Sequence, residues 1–168
     1  MGIEIERKFR IHSEAWRRNA VRPQRIAQGY INDAAVVESG AQRASVRVRR
    51  SGDQAWLNLK SRDVGPARQE FEYEIPLDDA EALLALCVGA VIDKTRHHVI
   101  VGAHLWEVDE FHGDNAGLVV AEIELDAVDE VFERPDWAGP EVTGETRYYN
   151  LALASRPFAQ WTDEEKSC

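Results

Sequence analysis

Charged and apolar residues alternate along much of the chain, and the charged ones recur at every second position. At the N-terminus Glu4, Glu6 and Lys8 follow this spacing. The same spacing returns in five later runs: Arg47 and Arg49; Glu70, Glu72 and Glu74; Lys94 and Arg96; Glu107 and Asp109; Glu122 and Glu124. A period of two is that of a β-strand, so each run places its charges on one strand face.

The alternation and the turn residues between the runs predict eight strands. Their expected ranges are Gly2–Ile11, Gln24–Ile31, Arg43–Arg50, Gln54–Lys60, Arg68–Ile75, Val91–Val101, Ala103–Phe111 and Leu118–Asp126. Short connections at Ser51–Asp53, Arg62–Ala67 and Gly113–Gly117 make consecutive hairpins. Consecutive hairpins imply an antiparallel sheet, and about eight strands are enough to close a small barrel.

Three short helices are expected between or after the strands. Their ranges are Ser13–Ala20, Ala82–Cys87 and Thr143–Ala154. Ser13 suits the N-cap of the first helix, while Asp78 and Glu81 resemble a capping box ahead of the second. Gly89 suits the C-terminal stop of that second helix. The tail after Arg156 is polar, and its end is expected to fray.

Length and composition are those of an ordinary soluble protein. The chain has 168 residues, of which 44% are hydrophobic and 30% charged. This predicts one domain over residues 1–168 with a single sizeable core. The net charge of −10 and the pI of about 5.0 argue against wrapping a nucleic acid polymer.

Cysteine content and hydropathy bear on the compartment. Cys87 and Cys168 are the two cysteines, which is no disulfide framework and indicates a reducing environment. The longest apolar stretch, Ala82–Ile92, is too short to span a bilayer, and the N-terminus lacks the apolar region of a signal peptide. A cytoplasmic location without membrane association is therefore expected.

The sign of the charges is sorted by strand. Acidic residues concentrate in the first, fifth, seventh and eighth strands, and basic residues in the third, fourth and sixth. Like charges about 6.7 Å apart on one strand face repel by about 2.4 kcal/mol at an effective dielectric constant of about 20. An enclosed interior with such rows therefore needs counter-charge, and the sorting predicts separate acidic and basic walls. The ordinary alternative is a set of half-buried strands whose charged faces meet water.

Each wall suits a different ligand. Carboxylate oxygens are the ligands that Mg²⁺ and Mn²⁺ prefer. Arginine and lysine side chains suit phosphate oxygens. The basic candidates are Lys8, Arg47, Arg49, Lys60, Lys94 and Arg96. Both walls together indicate a metal-bound polyphosphate.

The segment Glu4-x-Glu6-x-Lys8 resembles the E-x-E-x-K signature of the CYTH superfamily, the triphosphate tunnel metalloenzymes. The resemblance continues through most of the chain, at Gln28-Gly29-Tyr30, Val46–Arg49, Lys60-Ser61, Arg68–Glu72, Lys94-x-Arg96, Glu107–Asp109, Phe111–Gly113, Gly117-Leu118, Glu122–Glu124, Gly139–Thr143 and Tyr149–Leu151. It implies a closed eight-stranded antiparallel barrel, mainly β within the α+β class, with helices packed outside the tunnel.

The resemblance also implies roles for individual residues. The metal ligands would be Glu4, Glu6, Glu122 and Glu124, with Asp109 a further candidate, and Mg²⁺ or Mn²⁺ the cofactor. The phosphate-binding residues would be Lys8, Arg47, Arg49, Lys60, Lys94 and Arg96. Glu70 and Glu72 are expected to orient basic residues or water rather than to bind metal. Tyr30 lies where some family members place a tyrosine that pairs with the motif lysine, so a catalytic pair of Lys8 and Tyr30 is a hypothesis.

Within this family the chain resembles the bacterial inorganic triphosphatases, which implies hydrolysis of tripolyphosphate to diphosphate and phosphate. Nucleoside or thiamine triphosphatase, class IV adenylyl cyclase and a non-catalytic polyphosphate- or nucleotide-binding module remain alternatives. Arg147 becomes a substrate contact if the third helix lines a tunnel mouth. His97 and His98 are adjacent and should point to opposite strand faces, so no shared metal is expected there. The substrate is a small molecule, and outward apolar strand faces leave a homodimer open.

Overall fold

The computed structural model describes residues 2–62 and 66–167, so Cys168 and the predicted turn at 63–65 lie outside it. Within these residues the chain forms nine strands: β1 (Gly2–Ile11), β2 (Val21–Tyr30), β3 (Ala44–Ser51), β4 (Gln54–Ser61), β5 (Ala67–Ile75), β6 (Val88–Val101), β7 (His104–Phe111), β8 (Val119–Glu124) and β9 (Ala138–Glu141). The α-helices are α1 (Ala34–Glu38), α2 (Leu77–Leu84), α3 (Asn150–Ser155) and α4 (Asp163–Ser167). Short 3-10 helices cover Glu14–Arg18, Gly113–Asn115, Thr146–Tyr148 and Phe158–Gln160.

Eight of these strands close into an antiparallel barrel, which confirms the predicted fold. Going round the barrel the order is β1, β5, β4, β3, β2, β6, β7, β8 and back to β1. Closure depends on β1, which pairs with β5 through Gly2–Ile5 and with β8 through Glu6–Arg10. The ninth strand, which the alternation did not predict, adds to β1 at Phe9 and Ile11.

The two ends of the barrel differ. The β3–β4 and β6–β7 hairpins meet at one end, called here the hairpin end. The opposite end, called here the helix end, is covered by α3, which packs on β6 and β2. At the helix end the inward-facing row changes from charged to apolar, and Ile92, Phe111 and Val120 pack there with Leu153 of α3. The sequence left open whether the segment Thr143–Ala154 lines one tunnel mouth, and in the structure its α3 part caps the barrel.

The main apolar cores lie outside the charged interior, between the barrel wall and the segments that wrap it. One core joins Phe9, Trp106 and Trp137 with Trp16 of the first 3-10 helix. A second joins β3 and β4 to α2, where Ala80 is fully buried. Outward side chains of β1, β7 and β8 are therefore apolar where they are covered, as the alternation of a strand requires.

The first and third helix predictions were correct in position and wrong in detail, whereas the second helix, predicted over Ala82–Cys87, lies at Leu77–Leu84. The first helix is a short 3-10 turn, although Ser13 caps it as expected by accepting a hydrogen bond from the backbone N–H of Ala15. The predicted capping box at Asp78 and Glu81 is wrong, because α2 begins at Leu77 and its N-cap is Pro76. A proline ring offers no side-chain acceptor, and its fixed φ suits the entry to a helix.

The C-terminal third also departs from the prediction. The helix expected over Thr143–Ala154 is divided into the 3-10 turn Thr146–Tyr148 and α3. In the tail, the short helix α4 forms, and Trp161 is buried against Tyr148 with ring centroids 5.1 Å apart. A buried tryptophan anchors this segment to the helix end through its large apolar area.

Candidate active site

The interior of the barrel is a cavity of about 540 Å³. Inward-facing residues of every barrel strand surround it, together with residues 146 and 149–152 at the helix end. Thirteen of the predicted site residues line it: Glu4, Glu6, Lys8, Tyr30, Arg47, Arg49, Lys60, Glu70, Glu72, Lys94, Arg96, Glu122 and Glu124. The fold thus brings residues from seven distant segments to one enclosed space.

The strand order places the acidic strands side by side. β7, β8, β1 and β5 are consecutive round the barrel, while β4 and β3 lie opposite and β6 follows β2. The exceptions are Lys8 and Arg68, which stand on the acidic side. Among the described residues, eight Glu and eight Lys or Arg line the cavity, out of 20 Lys and Arg in the chain. An acidic protein can therefore hold a balanced interior.

Glu4 and Glu6 are held by basic side chains of neighbouring strands. Lys60 Nζ lies 2.7 Å from both carboxylate oxygens of Glu4. Arg68 Nε donates to Glu4 Oε2 at 3.1 Å, and Arg68 Nη2 donates to Glu6 Oε1. Burial and the neighbouring charge of Arg47 lower the pKa of Lys60.

Lys8 and Glu122 form a buried pair on adjacent strands. Lys8 Nζ lies 2.6 Å from Glu122 Oε1 and 5.2 Å from the ring centroid of Tyr149. Burial lowers the pKa of Lys8, but the carboxylates of Glu122 and Glu6 outweigh burial and hold it above its ordinary value. Burial raises the pKa of Glu122, yet Lys8 and Arg96 hold it well below the ordinary range. Both groups are therefore charged at neutral pH.

Asp109 lies behind the cavity lining, and only 1% of its surface is exposed. Arg96 donates to both of its oxygens at 2.7 Å, and Lys94 Nζ lies 2.5 Å from Oδ2. Arg96 also donates to Glu107 and, at 2.9 Å, to Glu122. Burial lowers the pKa of Lys94 to about 8, although Asp109 opposes this.

Glu70 and Glu72 contact side chains of the neighbouring strands β3 and β4. Arg49 Nη2 donates to Glu72 at 2.8 Å, and Arg47 Nη2 lies 3.6 Å from Glu70. The fully buried amide of Asn58 donates to Glu70 at 2.9 Å and to Glu72. Burial lowers the pKa of Arg49. An orienting role for the two carboxylates stays a prediction.

Tyr30 and Lys8 have separate partners in this structure. The Tyr30 hydroxyl accepts a hydrogen bond from Gln28 Nε2 at 3.4 Å, and burial raises its pKa despite the positive charge of Arg47. Lys8 binds Glu122 and faces the Tyr149 ring, as described above. The catalytic pair of Lys8 and Tyr30 stays a prediction.

The carboxylates suit a divalent cation in chemistry. Glu6 and Glu124 are direct cross-strand partners on β1 and β8. Burial and the carboxylates of Glu4, Glu107 and Glu70 raise the pKa of Glu124. Crowded like charges with oxygen donors favour a hard cation between them. Within residues 2–62 and 66–167, however, no three acidic, His or Cys side chains already converge into a cage, because basic groups hold several of them.

The model of the CYTH domain family matches residues 2–155. The chain belongs to the CYTH family. A protein of Acetivibrio thermocellus named inorganic triphosphatase is 42% identical over 164 residues, which is 97% of this chain and 100% of the relative. A Nitrosomonas europaea protein of the same name is 32% identical over 154 residues, covering 90% of this chain and 96% of the relative. A crystal structure of an inorganic triphosphatase aligns with a TM-score of 0.64 at 30% identity, covering 92% of this chain and 95% of that one.

The CYTH cavity contains residues that the sequence prediction did not assign to the site. Arg68 continues the alternation of Glu70 and Glu72 by one step toward the N-terminus, so the spacing contained the signal. Gln28 and Asn58 face inward but are uncharged. Tyr149 lies outside any strand, so no periodic signal marked it.

Arg147, the alternative substrate contact on the C-terminal segment, faces away from the cavity. It donates to Glu145 at 3.0 Å and stacks over Tyr148 and Trp161 at 4.9 and 5.3 Å. His97 and His98 do point to opposite faces of β6. His97 lies against Trp16 outside, whereas His98 Nε2 is 3.5 Å from Glu107 Oε1 inside.

Among the described residues, no helix has the length and apolar character needed to cross a bilayer.

Proposed function

We propose that this CYTH protein hydrolyses inorganic triphosphate to diphosphate and phosphate, with Mg²⁺ or Mn²⁺ as cofactor. The observation that carries the proposal is the enclosed cavity in which basic and acidic walls face each other. Relatives named inorganic triphosphatase that align over nearly the whole chain support the reaction class.

The balanced charge of the cavity favours a metal-bound substrate over a bare polyanion. A triphosphate alone adds negative charge to a space where eight carboxylates already match eight bases. A divalent cation offsets that charge and gives the acidic wall a partner. Glu4, Glu6, Glu122 and Glu124 would hold it, and when bound it supplies charge neutralisation on phosphate oxygens and activation of water.

The basic wall positions the substrate. Arg47, Arg49 and Lys60 approach the cavity from β3 and β4, and Lys94 and Arg96 approach it from β6. Their fixed donors hold a triphosphate in line and stabilise the charge that develops on the leaving diphosphate. Because these side chains are already held by carboxylates, little reorganisation is needed during the reaction.

Asp109 serves the basic wall rather than the metal in this proposal. Both of its oxygens are taken by Lys94 and Arg96, and it lies behind the lining. A carboxylate in that position fixes the direction of two phosphate-binding side chains. Asp109 is therefore a positioning residue.

Phosphate release from tripolyphosphate tests the function. We expect turnover with Mg²⁺ or Mn²⁺ and none with EDTA. Arg49→Ala should lower turnover by about tenfold or more. The matched control is Arg7→Ala, because Arg7 binds Glu141 on the outside of β1 at 2.6 Å. Tripolyphosphate binding without turnover would instead support a binding module, and cyclic AMP formation from ATP would support a cyclase.

One observation favours organic triphosphates as a second candidate substrate class. Arg49 stacks on Trp56, with its guanidinium carbon 5.0 Å from the ring centroid, on the inward face near the hairpin end. Exposed apolar side chains of Val21, Ile100 and Leu105 stand on the inward rows of β2, β6 and β7 at the same end. Such a rim suits the aromatic group of a nucleoside or thiamine triphosphate.

Trp56→Ala separates the two substrate classes. Stacking of one aromatic group contributes about 1–3 kcal/mol, and 1.4 kcal/mol within this range corresponds to about tenfold in affinity. The variant should therefore lower kcat/KM for ATP or thiamine triphosphate about tenfold while leaving tripolyphosphate turnover nearly unchanged. Equal losses on all substrates would mean that Trp56 acts only by supporting Arg49.

A further inference from the structure

Arg68 is a basic residue within the acidic wall. It lies on β5 directly opposite Glu4 of β1, and its guanidinium spans Glu4 and Glu6. A guanidinium presents a fork of donors that one carboxylate cannot fully use, so bridging two carboxylates suits it. Arg68 therefore stands between the carboxylates that the proposed function assigns to a cation.

The surroundings of Arg68 keep its charge away from bulk water. Only 12% of its side chain is exposed, and 15% and 13% of the side chains of Glu4 and Glu6. The guanidinium also packs against Tyr149, with 5.4 Å from its carbon to the ring centroid, and Lys8 lies over the same ring. Losing either partner in such a place leaves a buried charge uncompensated, which is costly.

Arg96 is anchored differently. It also contacts Glu122, which belongs to the proposed cation ligands, but it keeps both oxygens of Asp109 behind the lining. The carboxylates that Arg68 contacts, Glu4 and Glu6, both belong to the proposed ligand set. Arg68 thus loses its charge partners when those carboxylates turn to a cation, whereas Arg96 does not.

We infer that Arg68 is an exchangeable counter-ion, which holds Glu4 and Glu6 until a divalent cation and a triphosphate bind together and then turns its guanidinium to phosphate oxygens. The inference rests on the proposed function. Either ligand alone must break the bridge and leave charges unpaired. Both together supply each side with a new partner. Cation and triphosphate binding are therefore reciprocally coupled through this residue.

Binding of Mn²⁺, measured by calorimetry with and without imidotriphosphate, tests the inference without turnover. In the unmodified protein the analogue should tighten Mn²⁺ binding by about fivefold or more. Arg68→Gln should bind Mn²⁺ alone about fivefold more tightly, and the analogue should then tighten it much less. Arg7→Gln is the matched control, because it removes an arginine–glutamate pair on the outer face of the same strand.

Two results would overturn the inference. One is Arg68→Gln binding Mn²⁺ alone no more tightly than the unmodified protein, which would make Arg68 a structural support of Glu4 and Glu6. The other is an unmodified protein in which the analogue leaves Mn²⁺ binding unchanged, and this comparison needs no variant to fold. Arg68→Lys keeps the charge but loses the fork of donors, so its affinity for Mn²⁺ alone should lie between those of the unmodified protein and Arg68→Gln.

The proposed function is judged separately by phosphate release from tripolyphosphate. Hydrolysis of tripolyphosphate without coupling between Mn²⁺ and analogue binding would disprove the counter-ion role and leave the proposed function intact. Coupling without turnover removes the hydrolase and leaves the counter-ion role in a binding protein.

Discussion

At the scale of single residues, the cavity is organised by buried ion pairs rather than by isolated charges. Asp109 is the deepest of them and joins two phosphate-facing cations to one carboxylate. Its inward direction follows from the alternation of Glu107 and Asp109, but its depth does not. Depth depends on how far along the barrel β7 is placed against β6, which is a property of the closed sheet.

Replacing Asp109 with asparagine should leave Lys94 and Arg96 with uncompensated buried charge. We expect the free energy of unfolding to fall by about 3–5 kcal/mol, measured by urea denaturation. Asp93→Asn is the control, since Asp93 pairs with Arg25 on the outer surface of the barrel. Its unfolding midpoint should stay close to that of the unmodified protein. A similar loss of unfolding free energy in both variants would show that the buried position of Asp109 adds nothing to stability.

Lys94 should make stability rise with pH between about pH 8 and pH 10. Burial lowers its pKa from 10.5 to about 8 in the folded chain. In this interval the unfolded chain therefore keeps a proton that the folded chain has released, and higher pH favours folding. The measurement is the free energy of unfolding against pH, and the slope should flatten in Lys94→Met. An unchanged slope in that variant would contradict the assignment.

At the scale of elements, the strands with regular alternation were predictable from the sequence, whereas segments held only by contacts with their neighbours were not. The eight barrel strands were located to within about three residues, because seven of them have a charged inward row and turn residues mark the strand boundaries. β9 is four residues long and contains Pro140. It is held by neighbours rather than by its own pattern: the backbone N–H of Val142 donates to the carbonyl of Lys8 at 2.8 Å, and Arg7 binds Glu141. Sequence spacing contains no sign of such contacts.

Gly89 was interpreted as a helix stop and instead belongs to β6 at the helix end. Its φ is +76°, and an added Cβ would stand 2.6 Å from the carbonyl oxygen of Ala154 in α3. Only glycine therefore permits both the backbone conformation and the close approach of α3. The residue fixes how the C-terminal segment caps the cavity.

Gly89→Ala should be clearly more destabilising than Gly52→Ala. Gly52 has a φ of +60° with nothing within 4 Å of an added Cβ, so its substitution adds the backbone cost alone, about 1–2 kcal/mol. The clash with α3 should add roughly 1–3 kcal/mol at Gly89. Thermal melting of both variants checks this. Equal melting temperatures would show that α3 can move away from residue 89 without loss of stability.

At the scale of the whole molecule, the interior does not need a metal to be electrically balanced. Its own basic and acidic side chains are paired across neighbouring strands. Metal removal should therefore abolish turnover while leaving the fold intact, unlike a domain that folds only around its ion. EDTA should leave the melting temperature of the ligand-free protein within about 2 °C. A large fall would mean that a cation is part of the folded frame.

The sorting of sign by strand predicted the two walls, whereas the closed barrel was predicted from the consecutive hairpins and the family resemblance. The sorting worked because one face of every barrel strand must share a single interior. The exceptions, Arg68 and Tyr149, could not be assigned roles in the same way. Arg68 is a basic residue on an acidic strand, and Tyr149 belongs to a segment without the two-residue period of a strand.

The three-sided pairing of β1 has a consequence for synthesis of the protein. The strand that carries Glu4 and Glu6 leaves the ribosome before the other seven barrel strands, and its partner β8 ends only at Glu124. In the nascent chain this strand therefore stays unpaired with β8 until β8 has been synthesised. This long-range pairing makes closure of the barrel a late step in folding. The pocket is thus complete only when β8, the last barrel strand in chain order, pairs with β1, the first of them.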